Sequence, residues 1–157
     1  MNKEQKLKQF GNDALVAEVI NNYKLDLDGI HGVDHWSRVL NNAIFYGGHI
    51  KDKQVLKLFA LLHDSCRRND DKDISHGARA AKYASDLRGK FFDLSDDDFM
   101  ALHYAISCHN DGKTTKNPIV GLCWDADRLD LGRVYIKPHP KYISTDHIKD
   151  LLLTGEI

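Results

Sequence analysis

Proline, cysteine and long apolar runs are all scarce in this chain of 157 residues. All three prolines follow residue 117, so the strongest helix breaker is missing from residues 1–117. The three cysteines, Cys66, Cys108 and Cys123, are too few and too irregularly spaced for a disulfide framework, and they predict buried thiols in a reducing compartment. The lysine-rich start lacks the apolar run of a signal peptide, and no stretch has the roughly 20 apolar residues of a membrane span. We therefore expect a cytoplasmic protein without membrane contact.

An excess of one charge sign is missing as well. The formal net charge is −1, so the whole molecule has no electrostatic attraction to nucleic acid or to an anionic membrane. An anionic partner must then be held by a local site. Glycine-rich phosphate loops, the serine-hydrolase elbow and paired CxxC motifs do not occur, which excludes the common nucleotide-binding, serine-hydrolase and zinc-finger classes. We expect a small-molecule substrate and no nucleic-acid-binding module.

Helical periodicity is visible along most of the chain. Apolar residues recur at helical spacing in seven segments, at about 15–20, 33–46, 53–66, 74–87, 95–109, 118–132 and from 144 onward. The segment 53–66 is apolar on nearly every side, which predicts a central position in a bundle. No segment alternates like a strand, and no linker or repeat divides the chain. The sequence predicts one all-α domain over residues 1–157, a bundle of about six to seven helices.

Histidine is abundant, with nine residues, and several lie beside acids near predicted helix ends. His63 and Asp64 follow an apolar run at the end of the third predicted helix, His35 lies in the second and Asp127 in the sixth. Imidazole and carboxylate ligands suit zinc, manganese, iron or nickel. An unpaired carboxylate beside a buried run is unfavourable, and a metal ion would resolve that conflict. The alternative is an ordinary helix C-terminus whose His-Asp pair points into solvent.

The order of these residues resembles the H…HD…D signature of the HD superfamily of metal-dependent phosphohydrolases. The local contexts are similar too: His-Trp-Ser-Arg-Val at 35–39, Ala-Leu-Leu-His-Asp at 60–64 and Ala-Asp-Arg-Leu-Asp at 126–130. The resemblance covers about residues 30–136 and implies an HD-domain helical bundle. It also implies that His35, His63, Asp64 and Asp127 bind a divalent ion (Mn, Fe, Ni, Zn, Co or Mg). The implied activity is hydrolysis of a phosphomonoester or phosphodiester, for example a nucleotide, by water activated at the metal.

The resemblance also implies candidates for a second ion and for catalysis. Many members of the superfamily bind a second metal ion through histidines of the next two helices, and His76 and His109 occupy those places. In that case Asp64 bridges two ions; otherwise the two histidines are expected to donate hydrogen bonds to the phosphate. A basic residue three positions after the His-Asp pair faces the metal centre and the leaving phosphate in related proteins, which points to Arg67. Asp64 and Arg67 are therefore the catalytic candidates, and Asp127 is the alternative for holding the attacking water.

Residues that support the ligands can be proposed from spacing. Asp130 lies three residues after Asp127, on roughly the same helix face, and is a candidate for a hydrogen bond to a ligand. His31, four residues before His35, is interpreted as an N-terminal capping or supporting residue. Asp125 lies about 200° around the helix from Asp127, so the sequence favours Asp127 and leaves a contribution of Asp125 open.

Other basic and histidine residues carry weaker signals. Three further arginines are weaker candidates for a contact with the phosphate, because helix-surface arginines commonly pair with neighbouring acids: Arg79, Arg128 and Arg133. The rigid basic loop 137–140 is a further place where a substrate could make contact. His103 is predicted to be in the core or beside the site, and three other histidines are predicted to be at the surface: His49, His139 and His147.

Three alternatives to a hydrolase remain open at this point. The six-ligand set would also suit a mixed-valent diiron oxygenase of the same superfamily. A metal or nucleotide sensor would bind ligands without turnover, and a purely structural helical domain would bind no stoichiometric metal. The run 63–68 lacks the glutamate found in guanosine-tetraphosphate hydrolases of the superfamily, so the motifs do not define the substrate.

Overall fold

The chain folds into helices throughout, as the sequence predicts. The computed structural model describes all residues, Met1–Ile157. It contains eight α-helices and two 3-10 helices, and the α-helices are α1 (Lys3–Lys8), α2 (Asp13–Asn22), α3 (Val33–Tyr46), α4 (Gln54–Leu62), α5 (His76–Leu87), α6 (Asp96–Cys108), α7 (Pro118–Arg128) and α8 (Asp146–Thr154). The 3-10 helices are Leu129–Val134 and Pro140–Tyr142. One hydrophobic core joins the helices, and the all-α prediction is confirmed.

Helix α4 occupies the centre of the bundle, which confirms the prediction made from its composition. It packs against α3, α6 and α7, and its residues Leu56, Phe59 and Leu62 have no exposed surface. A helix that is apolar on all sides can bury its side chains only where other helices surround it. The C-terminal end of α4 is therefore delivered to the interior, and His63 and Asp64 follow there.

Several helix ends differ from the sequence prediction. Helix α3 has the predicted bounds, but α4 ends at Leu62, four residues earlier than predicted, and His63 is its C-cap. The sixth predicted helix keeps α-helical geometry only to Arg128 and continues as a tighter 3-10 helix to Val134. These shorter helices place their terminal residues at the bundle end rather than along a helix side.

The N-terminal helix α1 was not among the predicted segments. It has no buried residue, so apolar periodicity gives no signal for it. Asn2 and Gln5 form a reciprocal capping box at its start, Lys6 pairs with Asp34 of α3 at 2.7 Å, and Leu7 packs against the core. An Asn-x-x-Gln pattern at the N-terminus is the sequence signal that could have found this helix.

Two predictions about the burial of side chains are wrong in detail. His103 is exposed on α6 instead of lying in the core, because the apolar face of that helix is formed by Leu102, Ala105 and Ile106. All three cysteines are free, but only Cys123 is buried, while the other two are half-buried. None of the helices combines the length and the apolar character needed to cross a bilayer.

Helices α5 and α6 approach closely at Gly77. A Cβ atom at this position would lie 2.8 Å from the carbonyl oxygen of Ser107 and 2.9 Å from that of Ile106. Such distances are too short for an unstrained side chain, so only glycine allows this separation of the two backbones. The close approach brings the start of α5 against the end of α6, where His76 and His109 lie.

Candidate metal centre

Six side chains from five helices converge at one end of the bundle. They belong to the residues that the sequence singled out as ligand candidates: His35 in α3, His63 and Asp64 at the end of α4, His76 at the start of α5, His109 after α6 and Asp127 in α7. The four histidines and Asp64 are buried, with at most 5% of their surface exposed. The structure therefore brings all six candidates together.

One half of the cluster surrounds one oxygen of Asp64. The Nε2 atoms of His35 and His63 are 3.0 Å apart, and Oδ2 of Asp64 lies 3.4 Å from Nε2 of His35. Oδ1 of Asp127 completes this group at 3.4 Å from Nε2 of His35 and 3.7 Å from Nε2 of His63. His35, His63 and Asp127 lie close enough together to bind one ion.

The other oxygen of Asp64 faces a second pair of histidines. Its Oδ1 lies 3.1 Å from Nε2 of His76 and 3.5 Å from Nε2 of His109, and these two nitrogens are 2.8 Å apart. Nε of Arg67 donates a hydrogen bond of 2.9 Å to the same oxygen. The two oxygens of Asp64 thus serve different halves of the cluster.

Each of the four histidines is fixed through its other ring nitrogen. Every Nδ1 atom lies beside an oxygen acceptor, so the proton is assigned to Nδ1 and the lone pair of Nε2 faces the centre. The acceptors are Asp130 Oδ2 for His35 (2.7 Å), the carbonyl of Phe59 for His63 (3.1 Å), that of Asp73 for His76 (2.5 Å) and that of Ile106 for His109 (2.7 Å). The carbonyl of Phe59 also accepts the backbone N–H of His63, at 3.0 Å.

This arrangement of nitrogen and oxygen lone pairs suits a bound cation. When the proton of each ring is on Nδ1, the Nε2 lone pairs of two neighbouring histidines face each other. The Nε2 atoms of His35 and His63 are 3.0 Å apart, and those of His76 and His109 are 2.8 Å apart. Oδ1 of Asp127 is also buried and has no hydrogen-bond donor. A positive ion placed among these atoms removes both unfavourable features. Imidazole and carboxylate ligands whose second atoms are held by hydrogen bonds are typical of bound transition metals.

Burial and neighbouring charges shift the pKa values in the cluster. Burial lowers the pKa of His63 to about 3, which keeps this imidazole neutral and available as a ligand. Burial raises the pKa of the Asp64 carboxyl, but interactions with the surrounding histidines outweigh it and hold the pKa well below its usual range. Asp64 is therefore an ionised carboxylate in a buried place.

Asp130 supports the cluster as the spacing predicts. It lies in the 3-10 helix after α7 and accepts the hydrogen bond from Nδ1 of His35. Arg38 donates to both of its oxygens, from Nε at 2.6 Å and from Nη2 at 3.1 Å. The Asp130 carboxylate is thus held in one orientation, and it fixes the ring of His35.

His31 lies beside the ligand cluster but outside it. Its Nδ1 is 2.9 Å from Oδ1 of Asp70, and its carbonyl oxygen accepts a hydrogen bond from the hydroxyl of Tyr23. Gly32, rather than His31, is the N-cap of α3. The ring of His31 lies beside that of His35, with their centroids 6.3 Å apart. No feature of the sequence indicates its partner Asp70, which is distant along the chain.

Asp125 takes no part in the cluster. Its two carboxylate oxygens accept hydrogen bonds from the backbone N–H groups of Ser144 (2.8 Å) and Thr145 (2.7 Å). The residue has no exposed surface and points to the chain segment before α8. Asp125 and Asp127 therefore serve different purposes, a loop anchor and a ligand candidate.

A cavity of about 260 Å³ opens onto the cluster. Asp64, His109 and Asp127 line its floor, and the basic residues of its wall are Arg67, Arg128 and Arg133. The concentration of arginine at a site in a nearly neutral protein supplies the local positive charge that an anionic ligand requires. Arg79, the remaining arginine considered in the sequence analysis, does not line this cavity and pairs with Asp73 at 2.6 Å.

Comparison with known proteins gives no relative. No family model matches the chain, and neither a curated protein nor a solved structure matches it. The function is therefore argued from the geometry of the cluster and from the motif resemblance.

Proposed function

We propose that the protein is a metal-dependent phosphohydrolase that cleaves a phosphomonoester or a phosphodiester at two adjacent divalent ions. The main support is the position of Asp64 between two pairs of imidazoles. Its Oδ2 lies 3.4 Å from Nε2 of His35, and its Oδ1 lies 3.1 Å from Nε2 of His76. A carboxylate that presents one oxygen to each of two histidine pairs is suited to bridge two ions.

The ligands divide between two subsites. Two sets of side chains lie close enough together to share an ion, His35 with His63 and Asp127, and His63 with Asp64 and His109. We assign His35, His63, Asp64 and Asp127 to the first ion. Asp64, His109 and His76 would hold the second, because Nε2 of His76 lies 3.1 Å from Oδ1 of Asp64 and 2.8 Å from Nε2 of His109. Divalent ions bound there supply Lewis acidity, which lowers the pKa of water and offsets the charge that develops on a phosphoryl group. The number and the type of the ligands would select among Mn, Fe, Ni, Zn, Co and Mg, because these ions differ in preferred coordination geometry.

The chain's own residues position the water and the phosphate. Asp127 is the better candidate for orienting and deprotonating the water, because its carboxylate is partly exposed to the cavity, with 14% of the side-chain surface accessible. Asp64 is already engaged by Arg67 and His76. Arg67 and Arg133 line the cavity, and their guanidinium groups match the oxygens of a phosphate.

Metal content and turnover test the proposal together. We expect purified protein to hold close to two ions per chain by elemental analysis, and to hydrolyse members of a panel of nucleotides and simple phosphate esters when supplemented with Mn²⁺. Asp64→Ala should lose both the metal and the turnover. Asp34→Asn, which changes an exposed carboxylate that pairs with Lys6, should retain both. Turnover by Asp64→Ala at the rate of the unaltered protein would exclude this chemistry.

Two other results would assign a different function to the same ligands. Iron in the purified protein together with substrate-dependent oxygen consumption would favour the diiron oxygenase. Stoichiometric metal and tight nucleotide binding without turnover of any ester would favour a sensor. Both results would leave the ligand set intact, so the metal and the reaction are tested separately.

A further inference from the structure

Arg128, the last residue of α7, is a buried cation without a counter-ion. Only 7% of its surface is exposed, and it forms no salt bridge. Nη1 donates to the carbonyl oxygen of Tyr142, but Nη2 is buried and has no hydrogen-bond acceptor. The sequence interpretation, a surface arginine paired with a neighbouring acid, is therefore wrong for this residue.

A buried guanidinium without a salt bridge is unfavourable unless its charge is compensated. The carboxylates of Asp125 and Asp127 act on Arg128 electrostatically, but neither forms a salt bridge with it. Desolvation of a cation costs several kcal/mol, and arginine remains protonated in proteins, so it cannot avoid the charge by releasing a proton. The packing of its guanidinium over the Trp124 ring, 5.4 Å from the ring centroid, compensates only a part of this. An anion beside Arg128 would supply the missing charge.

Arg128 lies where two cavities meet. One is the cavity of about 260 Å³ over the histidine–aspartate cluster, and the other has a volume of about 460 Å³. They share four lining residues: Asn110, Gly112, Arg128 and Leu131. The two cavities are therefore adjacent, and Arg128 lies between them.

The second cavity, which we term the outer cavity, has both apolar and basic walls. Its apolar residues are Leu131, Ile136, Tyr142 and Ile143, and its exposed basic residues are Lys137 and His139. The single acid among its lining residues, Asp111, is 3.1 Å from Nζ of Lys113 and so is already paired. The volume is in the range of small-molecule sites, about 300–1,000 Å³.

We propose that Arg128 binds a second anionic group of the substrate. The substrate would then be a phosphate ester whose organic part lies in the outer cavity and carries a carboxylate or a further phosphate close to Arg128. This inference rests on the proposed hydrolase function for the first phosphate. It assigns to Arg128 the selection of doubly anionic esters over esters with a neutral organic part.

Paired probes that differ only in the second charge test the proposal. Dissociation constants of ω-carboxyalkyl phosphates of increasing chain length are measured by calorimetry on Mn²⁺-loaded protein, each against the ω-hydroxyalkyl phosphate of equal length. We expect at least one chain length at which the carboxylate improves affinity by about 10- to 100-fold, the usual effect of a hydrogen bond to a charged group. Equal affinities within every pair would overturn the inference.

Variants locate the effect at Arg128. Arg128→Met should abolish the preference for the carboxylate, so that each carboxyalkyl phosphate binds no more tightly than the hydroxyalkyl phosphate of equal length. Arg88→Met is the matched control and should keep the preference. Arg88 is the C-cap of α5, at the other end of that helix from His76, and its guanidinium also packs over an aromatic ring, that of Phe99. Because Arg128 also packs on Trp124, Arg128→Gln serves as a second variant if the first is unfolded, and either variant that retains the preference contradicts the proposal.

Failure of this inference can be told from failure of the proposed function. Turnover of the hydroxyalkyl and carboxyalkyl esters with the same kcat/KM would preserve the hydrolase and remove the role of Arg128. A carboxylate preference that depends on Arg128, without turnover of any ester, would preserve anion binding at Arg128 and contradict the hydrolase. The binding measurement on the unaltered protein is sufficient by itself to reject the inference.

Discussion

Oδ2 of Asp130 lies 2.7 Å from Nδ1 of His35, and the same carboxylate is gripped by the guanidinium of Arg38. This contact connects the 3-10 helix after α7 to α3 and fixes the orientation of a ligand candidate. Because Nδ1 donates its proton to Asp130, the lone pair of Nε2 remains free to bind an ion. The strength of ion binding should therefore depend on a residue that does not touch the ion.

Replacing Asp130 by asparagine should weaken metal binding without abolishing it. The amide has no negative charge, so it orients His35 less firmly and makes Nε2 a weaker donor. We expect the affinity for Mn²⁺ to fall by about 10- to 100-fold, measured by competition with a chelating dye. The control is Asp34→Asn, because Asp34 is an exposed carboxylate of α3 that pairs with Lys6 instead. An unchanged affinity in Asp130→Asn would separate Asp130 from the metal centre.

The two halves of the cluster should lose their ions separately. His76→Gln removes a ligand from the second subsite only, so we expect the metal content to fall from about two ions to about one per chain. Elemental analysis of the dialysed protein measures this directly. His147→Gln, at an exposed position on α8, should leave the content unchanged. Loss of both ions in His76→Gln would indicate that the two subsites fill only together.

Gly77→Ala should disturb the contact between α5 and α6. The added methyl group would meet two backbone carbonyls at 2.8 Å and 2.9 Å, and backbone atoms cannot move aside as a flexible side chain can. We expect a loss of about 1–3 kcal/mol in the free energy of unfolding, measured in urea. Gly48→Ala is the matched control, because the nearest atom to a Cβ there is 3.7 Å away. Equal stability of the two variants would show that α5 can shift without penalty.

Asp125 and Asp127 should respond in opposite ways to the same substitution. In Asp125→Asn only one side-chain oxygen remains for the N–H groups of Ser144 and Thr145, so we expect about 1–3 kcal/mol less stability with unchanged metal content. In Asp127→Asn a ligand loses its charge, so metal content should fall instead. Thermal unfolding and elemental analysis of both variants distinguish the two effects. Metal loss in Asp125→Asn without loss of stability would reverse the assignment.

Metal binding should stabilise the fold as a whole, because the ligand candidates come from five helices. At a free ion concentration of 100 times the dissociation constant, the free energy of unfolding should rise by about 2.7 kcal/mol, provided that the unfolded chain does not bind the ion. Urea unfolding with Mn²⁺ and with a chelator measures the difference. Asp64→Ala should show the same stability in both solutions, and a remaining difference in this variant would point to binding elsewhere.

The sequence was sufficient for the elements whose signal is local. The bounds of α3 follow from its apolar period, and the start of α7 follows from Asn117 as cap and Pro118 as first residue. The end of α7 was predicted too late, because the pattern of apolar residues continues through a 3-10 helix, which is wound more tightly than an α-helix and has i→i+3 hydrogen bonds. Helix α1 was missed because it buries no residue.

The ligand candidates could be named from their motifs, but their arrangement could not. Three of the four histidines are oriented by backbone carbonyls, those of Phe59, Asp73 and Ile106, and carbonyls have no signature in a sequence. Arg128 was misjudged for a related reason. Nothing in its neighbours along the chain indicates that the segment around Tyr142 folds over it.

The anchoring of that segment determines how a ligand reaches the cavities. Asp125 holds the backbone of Ser144 and Thr145, and Arg128 holds the carbonyl of Tyr142, so the loop before α8 is fastened to α7 on both sides of Asp127. Swinging this loop outward would break these bonds or drag α7 with it, and Asp127 would then leave the ligand cluster. The loop consequently forms a fixed wall of the outer cavity and not a moving lid, so we expect a ligand to enter and leave that cavity without displacement of residues 142–145.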